Sequence, residues 1–166
     1  MAANLGTRSA DIQYLARNAA TTGYQLGSLL APPLYMVSVI ASRGRSSFTI
    51  NRLLRATWLC GLGGSIAGGA VGYAWYTFPN EDVLRSKRLE AVYDNDRIRA
   101  DDHAMIGTIL MGVLTPALFW NRAHIVNLVL GGAGLGSGIG LLTHYGRSLT
   151  GDRPPKTQLP VLPFSD

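Results

Sequence analysis

The stretch Cys60–Tyr76 reads CGLGGSIAGGAVGYAWY, and six of its residues are glycine. Glycine at this frequency is typical of loops. Yet no charged residue interrupts the chain from Ala56 to Asn80, and apolar residues fill the spaces between the glycines. In a membrane, backbone groups must form hydrogen bonds within their own segment, so an uncharged glycine-rich stretch there is helical. Because glycine also lets two helices approach closely, the stretch predicts a membrane helix with a glycine packing face.

The charged residues of the whole chain are few and unevenly placed. They make up 15% of the 166 residues, against roughly 25% in ordinary soluble proteins. The uncharged windows between them approach or exceed the length of about 20 residues that crosses the hydrocarbon core. A soluble bundle with a long core is the alternative, but soluble helices keep a polar face. We therefore predict an all-α membrane protein with four transmembrane helices, near residues 20–41, 53–77, 103–120 and 124–145.

Two of the four segments carry glycine at helical spacing. With 3.6 residues per turn, four of the six glycines of the second segment fall within one arc of about 80°. The fourth segment carries two such arcs, and we expect it to be central or to meet another protein with its second face. The alternative is that glycine is simply common in membrane helices. The predicted helix-packing residues are Gly61, Gly64, Gly68 and Gly72 in the second segment, and Gly131, Gly134 and Gly138 with Gly132, Gly136 and Gly140 in the fourth.

The two halves of this region resemble each other. The first and third segments align and each carries proline, at Pro32-Pro33 and at Pro116, which should kink the helices. The second and fourth segments also align, because an Asn-Arg pair precedes the first glycine arc of each at identical spacing. We predict two glycine-zipper hairpins related as a parallel repeat, with chance similarity between glycine-rich segments as the alternative.

The polar residues outside the spans divide by charge. The side that holds both termini and the loop 79–102 carries all ten Asp and Glu residues. The other side is purely basic, and we expect it to face the negative compartment and to bind lipid headgroups, with cardiolipin as one candidate. These interfacial arginines explain the net charge of +5 without nucleic acid as a partner. They are Arg43, Arg45, Arg52, Arg55 and Arg122.

Two further segments are polar. The loop 79–102 is interpreted as a solvated or partner-facing charged loop, although its apolar residues are spaced loosely for an amphipathic surface helix. Residues 151–166 are rich in proline and should be extended, lying along a neighbouring subunit, with a disordered tail as the alternative. We therefore predict a single four-helix membrane domain over residues 1–150, followed by an extended proline-rich tail over residues 151–166.

Residues that could carry chemistry are scarce. The single cysteine, Cys60, cannot form an internal disulfide. Three histidines near predicted helix ends, His103, His124 and His144, are interpreted as interfacial polar residues rather than metal ligands. Pumps and proton relays usually need ionisable groups inside the membrane, but Arg55 is the only charged residue within the four spans. We expect no enzymatic activity, no cofactor and no metal site.

Several stretches together resemble a known family. They are ADIQYLARNA leading into LLAPPLY, the helix GGSIAGGAVGYAW and the charged loop YDNDRIRADD. Over most of its length the chain resembles the small fungal accessory membrane subunits of mitochondrial respiratory complex I, of the NUXM type. The resemblance implies a multi-pass protein of the mitochondrial inner membrane. It also implies a structural role in the membrane arm of this NADH:ubiquinone oxidoreductase, other membrane subunits as partners, and no redox centre.

A looser likeness, in architecture and glycine stripes alone, is to the inner-membrane translocase superfamily, which includes mitochondrial import channel subunits. A translocase-like channel or solute-pathway protein is therefore the alternative function. Such a pathway needs a water-lined groove, for which the predicted spans offer few polar residues: Gln25, Thr57, Ser65, Thr108, Asn127 and Ser137.

Overall fold

The computed structural model describes residues 2–43 and 48–151, with residues 2–7 and 42–43 described by their backbone alone. Over these residues the regular elements are all helices, which confirms the all-α part of the predicted fold. The predicted tail, apart from Gly151, lies outside the described residues. The five helices are α1 (Ala2–Arg43), α2 (Ile50–Thr77), α3 (Glu81–Tyr93), α4 (Asn95–Phe119) and α5 (Ile125–Leu149).

Three of these helices are long and apolar enough to cross a membrane, namely Arg8–Ala41 within α1, and all of α4 and α5. They indicate a membrane protein. The remaining long helix, α2, does not reach the same hydropathy, because its glycines and its C-terminal tyrosines and tryptophan are only weakly hydrophobic. Large apolar side chains are nevertheless exposed on all four long helices, among them Leu34, Ile66, Val113 and Leu142.

The long helices pack as two antiparallel pairs, α1 with α2 and α4 with α5. In the first pair Gly23 lies against Gly64, and Gly27, one turn later in α1, lies against Cys60, one turn earlier in α2. Residue numbers therefore rise along one helix as they fall along the other. The second pair follows the same rule around Gly107 and Gly136.

Helix α5 is the centre of the bundle. It contacts α1 and α2 in addition to its partner α4. Half of its most apolar window is buried inside the protein, against 22% for α1 and 11% for α4. The glycines of α5 make this possible, because a helix without side chains on two faces can be approached closely from two directions.

The charged segment 79–102 is largely helical, so its interpretation as a loop is wrong. Helix α3 occupies Glu81–Tyr93, and α4 begins at Asn95, about two turns before the predicted start at residue 103. The Asp94 carboxylate caps α4 by accepting hydrogen bonds from the backbone N–H groups of Asp96 and Arg97, at 3.1 and 3.2 Å. Leu84 anchors α3 by burying its whole side chain.

Helix α1 also extends beyond its predicted bounds of 20–41. It begins at Ala2 and runs through Pro32 and Pro33 to Arg43. Its polar N-terminal part is helical because it has partners to pack against: α3 contacts α1, and Asp11 forms an ion pair with Arg88 of α3. A membrane span predicted from hydropathy alone ends at the first charged residues. The helix itself continues past them, because these charged residues have partners on neighbouring helices.

Candidate functional site

The glycine stripe of α2 faces α1 along its whole length. A Cβ atom placed on Gly64 would overlap the backbone carbonyl of Gly23, and one placed on Gly68 would lie 2.6 Å from the carbonyl oxygen of Ala19. Real Cβ atoms essentially never approach other atoms this closely, so only glycine permits this separation of the backbones. The four predicted residues, Gly61, Gly64, Gly68 and Gly72, all have α1 atoms as their nearest neighbours.

One glycine arc of α5 faces its hairpin partner α4. A Cβ on Gly136 would overlap the backbone carbonyl of Gly107, and one on Gly140 would overlap that of His103. At the third position of the arc, a Cβ on Gly132 would lie 2.6 Å from the carbonyl oxygen of Met111. This glycine arc therefore lets α4 pack directly against the backbone of α5.

The other glycine arc of α5 faces the first hairpin. A Cβ on Gly131 would lie 2.6 Å from Leu54 Cβ of α2, and one on Gly138 would lie 3.2 Å from the Cα of Leu29 in α1. Gly134, between them, faces Thr57. This arc joins the two hairpins to each other, so α5 uses both of its glycine faces within the chain.

The structure gives the aligned glycines of the two hairpins different partners. The sequence repeat equates Gly64 with Gly134, but Gly64 packs within its own hairpin whereas Gly134 packs between hairpins. The arc that performs the within-hairpin role in α5 is the one centred on Gly136. An alignment of glycines finds smooth helix faces, but it contains no information on which neighbour each face meets.

Three small hydroxyl side chains are buried, one each on α1, α2 and α5, and two of them, Ser28 and Thr57, meet at Gly134 of α5. Thr57 and Ser137 were identified from the sequence as polar residues of the spans, whereas Ser28 was missed. All three are at most 2% exposed, and the Thr57 hydroxyl donates a hydrogen bond to the carbonyl of Leu53 at 3.0 Å. No sequence signal singles out Ser28; in the structure its Oγ would lie 2.5 Å from a Cβ on Gly61 and 3.3 Å from one on Gly134.

At one end of the bundle, side-chain hydrogen bonds tie the start of α2 to the start of α5. The Asn127 amide donates to Asn51 Oδ1 at 2.8 Å, and the Trp58 indole N–H donates to Asn127 Oδ1 at 3.0 Å. The backbone N–H of His124 also donates to Asn51 Oδ1, at 3.3 Å. The sequence identifies Asn127 only as a candidate pathway residue. It does not predict these hydrogen bonds, because the partners of Asn127 lie far away along the chain.

The predicted lipid-binding arginines lie near this same end. Arg52 and Arg55 occupy the first turns of α2, Arg122 occupies the turn between α4 and α5, and all three are exposed. Arg43 is the last residue of α1, and its side chain is outside the described part. Arg45 also lies outside the described residues.

At the opposite end, α4 is bonded to α1. Gln25 donates to Asp101 Oδ1 at 2.6 Å. Arg97 donates to the carbonyl of Asn18 at 3.0 Å and to the Thr22 hydroxyl at 2.7 Å. Sequence reasoning missed these contacts because it treated the charged segment as solvated. Burial of the Gln25 amide explains why it needs a hydrogen-bond partner.

His103 and His144 come together at that second end. Their ring centroids lie 5.6 Å apart, although the two residues were interpreted separately from the sequence.

Residues 2–43 and 48–151 contain no group of three or more His, Cys, Asp or Glu side chains that could hold a metal ion. No protein-family model, curated protein or solved structure matches the chain. The function is therefore inferred from the packing of the helices and from the sequence.

Proposed function

We propose that all four long helices cross the membrane, with α2 as the fourth span. The support for α2 is its contact with α1, because all four glycines from Gly61 to Gly72 lie against α1 and the backbones touch at Gly64 and Gly68. A helix packed this closely along an apolar span shares its depth in the membrane. Helix α2 carries no charge from Ala56 to its end at Thr77, so it can enter the hydrocarbon core at little cost.

Accessibility labelling in intact membranes tests this topology. Single cysteines at Ser9, Thr49, Asn80 and Asn121, in a Cys60→Ser background, report on the ends of the helices. Ser9→Cys and Asn80→Cys should react with an impermeant reagent from one side, and Thr49→Cys and Asn121→Cys from the other. If Thr49→Cys and Asn80→Cys react from the same side, α2 does not cross.

We further propose that the chain is a non-catalytic accessory subunit of the membrane arm of complex I in the mitochondrial inner membrane. The sequence resemblance suggests the complex. The observation that carries the structural role is the division of the surface: the internal faces pack closely on glycines, whereas large apolar side chains are exposed on the outward faces of all four long helices. Such a unit is stable as a rigid block and can add helices to the edge of a larger membrane assembly.

The translocase-like alternative has less support from the same side chains. Thr57 and Ser137 are buried, and Gln25 and Asn127 are hydrogen-bonded to Asp101 and Asn51 of neighbouring helices. The Thr57 hydroxyl bonds to Leu53 within its own helix, so Gln25, Asn127 and Thr57 have hydrogen-bond partners inside the protein instead of requiring water in a groove.

Native gel electrophoresis of gently solubilised mitochondria distinguishes the two functions. An accessory subunit of complex I should comigrate with NADH dehydrogenase activity. Its deletion should reduce the amount of intact complex, without altering the redox centres that remain. Migration of the chain at the size of an import complex would instead support the translocase-like function and exclude the complex I role.

A further inference from the structure

A pocket of about 320 Å³ lies between the first turns of α4 and the last turns of α5. Four side chains line it, and each of them is basic: Arg99 and His103 of α4, and His144 and Arg147 of α5. The proposed role in a larger complex makes no use of this pocket. It is also separate from the arginines predicted to bind lipid, which lie near the opposite end of the bundle.

The donors of the pocket are suited to an anion. Arg99 and Arg147 carry permanent positive charges. His103 Nδ1 donates a hydrogen bond to the carbonyl oxygen of Arg99 at 2.7 Å, which holds the imidazole ring beside the backbone of Arg99. His144, whose side chain is 5% exposed, has its Nε2 3.2 Å from Asp96 Oδ1 without forming a hydrogen bond there. The Asp96 carboxylate lies beside His144, whereas both guanidinium groups line the pocket itself.

The position of the pocket along the helices specifies the kind of anion. Arg147 is the first charged residue after the uncharged stretch of α5, and Arg99 lies one turn before the uncharged stretch of α4. Both helices are long and apolar enough to span, so the pocket lies at the boundary of the hydrocarbon core, where lipid phosphates are found. Guanidinium groups match phosphate oxygens in geometry and charge.

We propose that this pocket binds a phosphate group. The group has two sources at this depth, the headgroup of an anionic phospholipid or a phosphate dissolved in the adjoining water. Both offer the same oxygens to Arg99 and Arg147.

The test measures thermal unfolding of the full chain in an uncharged detergent, followed by tryptophan fluorescence. The probes are phosphatidylglycerol, inorganic phosphate, and a diacylglycerol that lacks phosphate. The test variant is Arg99→Gln/Arg147→Gln. The matched control is Arg17→Gln/Arg85→Gln, which removes two exposed charges from the same end of the bundle. All four positions are exposed, so each variant should fold, and the midpoint without probe checks this.

At a probe concentration near ten times its Kd, the unfolding midpoint of the wild type should rise by about 3 °C. The Arg99→Gln/Arg147→Gln variant should bind at least ~10-fold more weakly and rise by less than about 1 °C. The control should respond like the wild type, and diacylglycerol should have no effect. A rise with phosphatidylglycerol alone identifies a lipid site, and a rise with inorganic phosphate identifies a site for soluble phosphate as well. No rise with either phosphate probe, or equal rises in both variants, would overturn the proposal.

Discussion

Gly68→Ala in α2 is the sharpest test of the glycine interface. The added methyl group would lie 2.6 Å from the carbonyl oxygen of Ala19 and 3.2 Å from the Cα of Gly23. Both neighbours are backbone atoms, which cannot rotate away as the end of a side chain can. Helix α2 must therefore move away from α1.

The size of the effect follows from that distance. Ordinary contact begins at 3.4 Å, so the backbones must separate by about 0.8 Å, and a gap of this size forfeits roughly a quarter to a half of each pair's dispersion energy. With about 0.1–0.2 kcal/mol for each of some 40–60 atom pairs around the contact, the loss is about 1–6 kcal/mol, and we expect the lower half of this range because overpacked sites typically cost about 1–3 kcal/mol. Alanine recovers up to about 1 kcal/mol through its better helix propensity.

Gly63→Ala is the matched control, because it makes the same chemical change in the same helix. A Cβ at Gly63 would meet nothing within 4 Å, so this variant gains the helix propensity without the clash. Titration of the full chain in mixed micelles with sodium dodecyl sulfate, followed by tryptophan fluorescence, gives the free energy of unfolding. We expect Gly68→Ala to be less stable than Gly63→Ala by about 1–3 kcal/mol.

Equal stability of the two variants, within about 0.5 kcal/mol, would refute the reasoning. It would mean that α1 and α2 are not held at backbone contact around Gly68. The proposed fourth span would then lose its support, because that support is the closeness of α2 to α1.

Three further changes test other contacts. Gly136→Ala should lower the free energy of unfolding by about 1–3 kcal/mol, because a Cβ at this position overlaps the backbone of α4. Gly146→Ala is its control, because a Cβ there meets open space. Similar free energies of unfolding for the two variants in the same titration would contradict this prediction. Asn127→Leu should cost about 1–3 kcal/mol, because it leaves the Trp58 indole N–H without its acceptor, and an unchanged Trp58 emission would argue against the bond. Asp94→Ala should lower the free energy of unfolding by about 0.5–2 kcal/mol. It should also speed amide hydrogen exchange at the start of α4 but not in α5, and unaltered exchange at the start of α4 would exclude the cap.

The apolar parts of the four long helices could be predicted from the sequence because the signals for them are local. An uncharged window predicts a helix in lipid wherever it stands, since its backbone groups have no other partners there. The spacing of glycines predicts which residues share a face, since helical periodicity fixes angles along one helix. Both glycine arcs of α5 followed from this, before any neighbour was known.

The segment 79–102 shows where local signals stop. Its apolar residues are too loosely spaced to specify a helix strongly, and its charges are those of a solvated loop. It is helical in the structure because Asp94 caps α4, Asp11 pairs with Arg88, and Gln25 bonds to Asp101. Most of these partners lie on α1, far away along the chain, so only the tertiary structure brings them together.

The candidate sites likewise depend on contacts between residues that are far apart along the chain. The sequence determined that α5 has two smooth faces, but the structure decided that one receives α4 and the other receives Leu54 and Leu29 of the first hairpin. The sequence placed histidines near helix ends, but only the antiparallel packing of α4 and α5 brings His103 and His144 to one pocket with two arginines. A face is a property of one helix, whereas a contact depends on two surfaces and on the register between them.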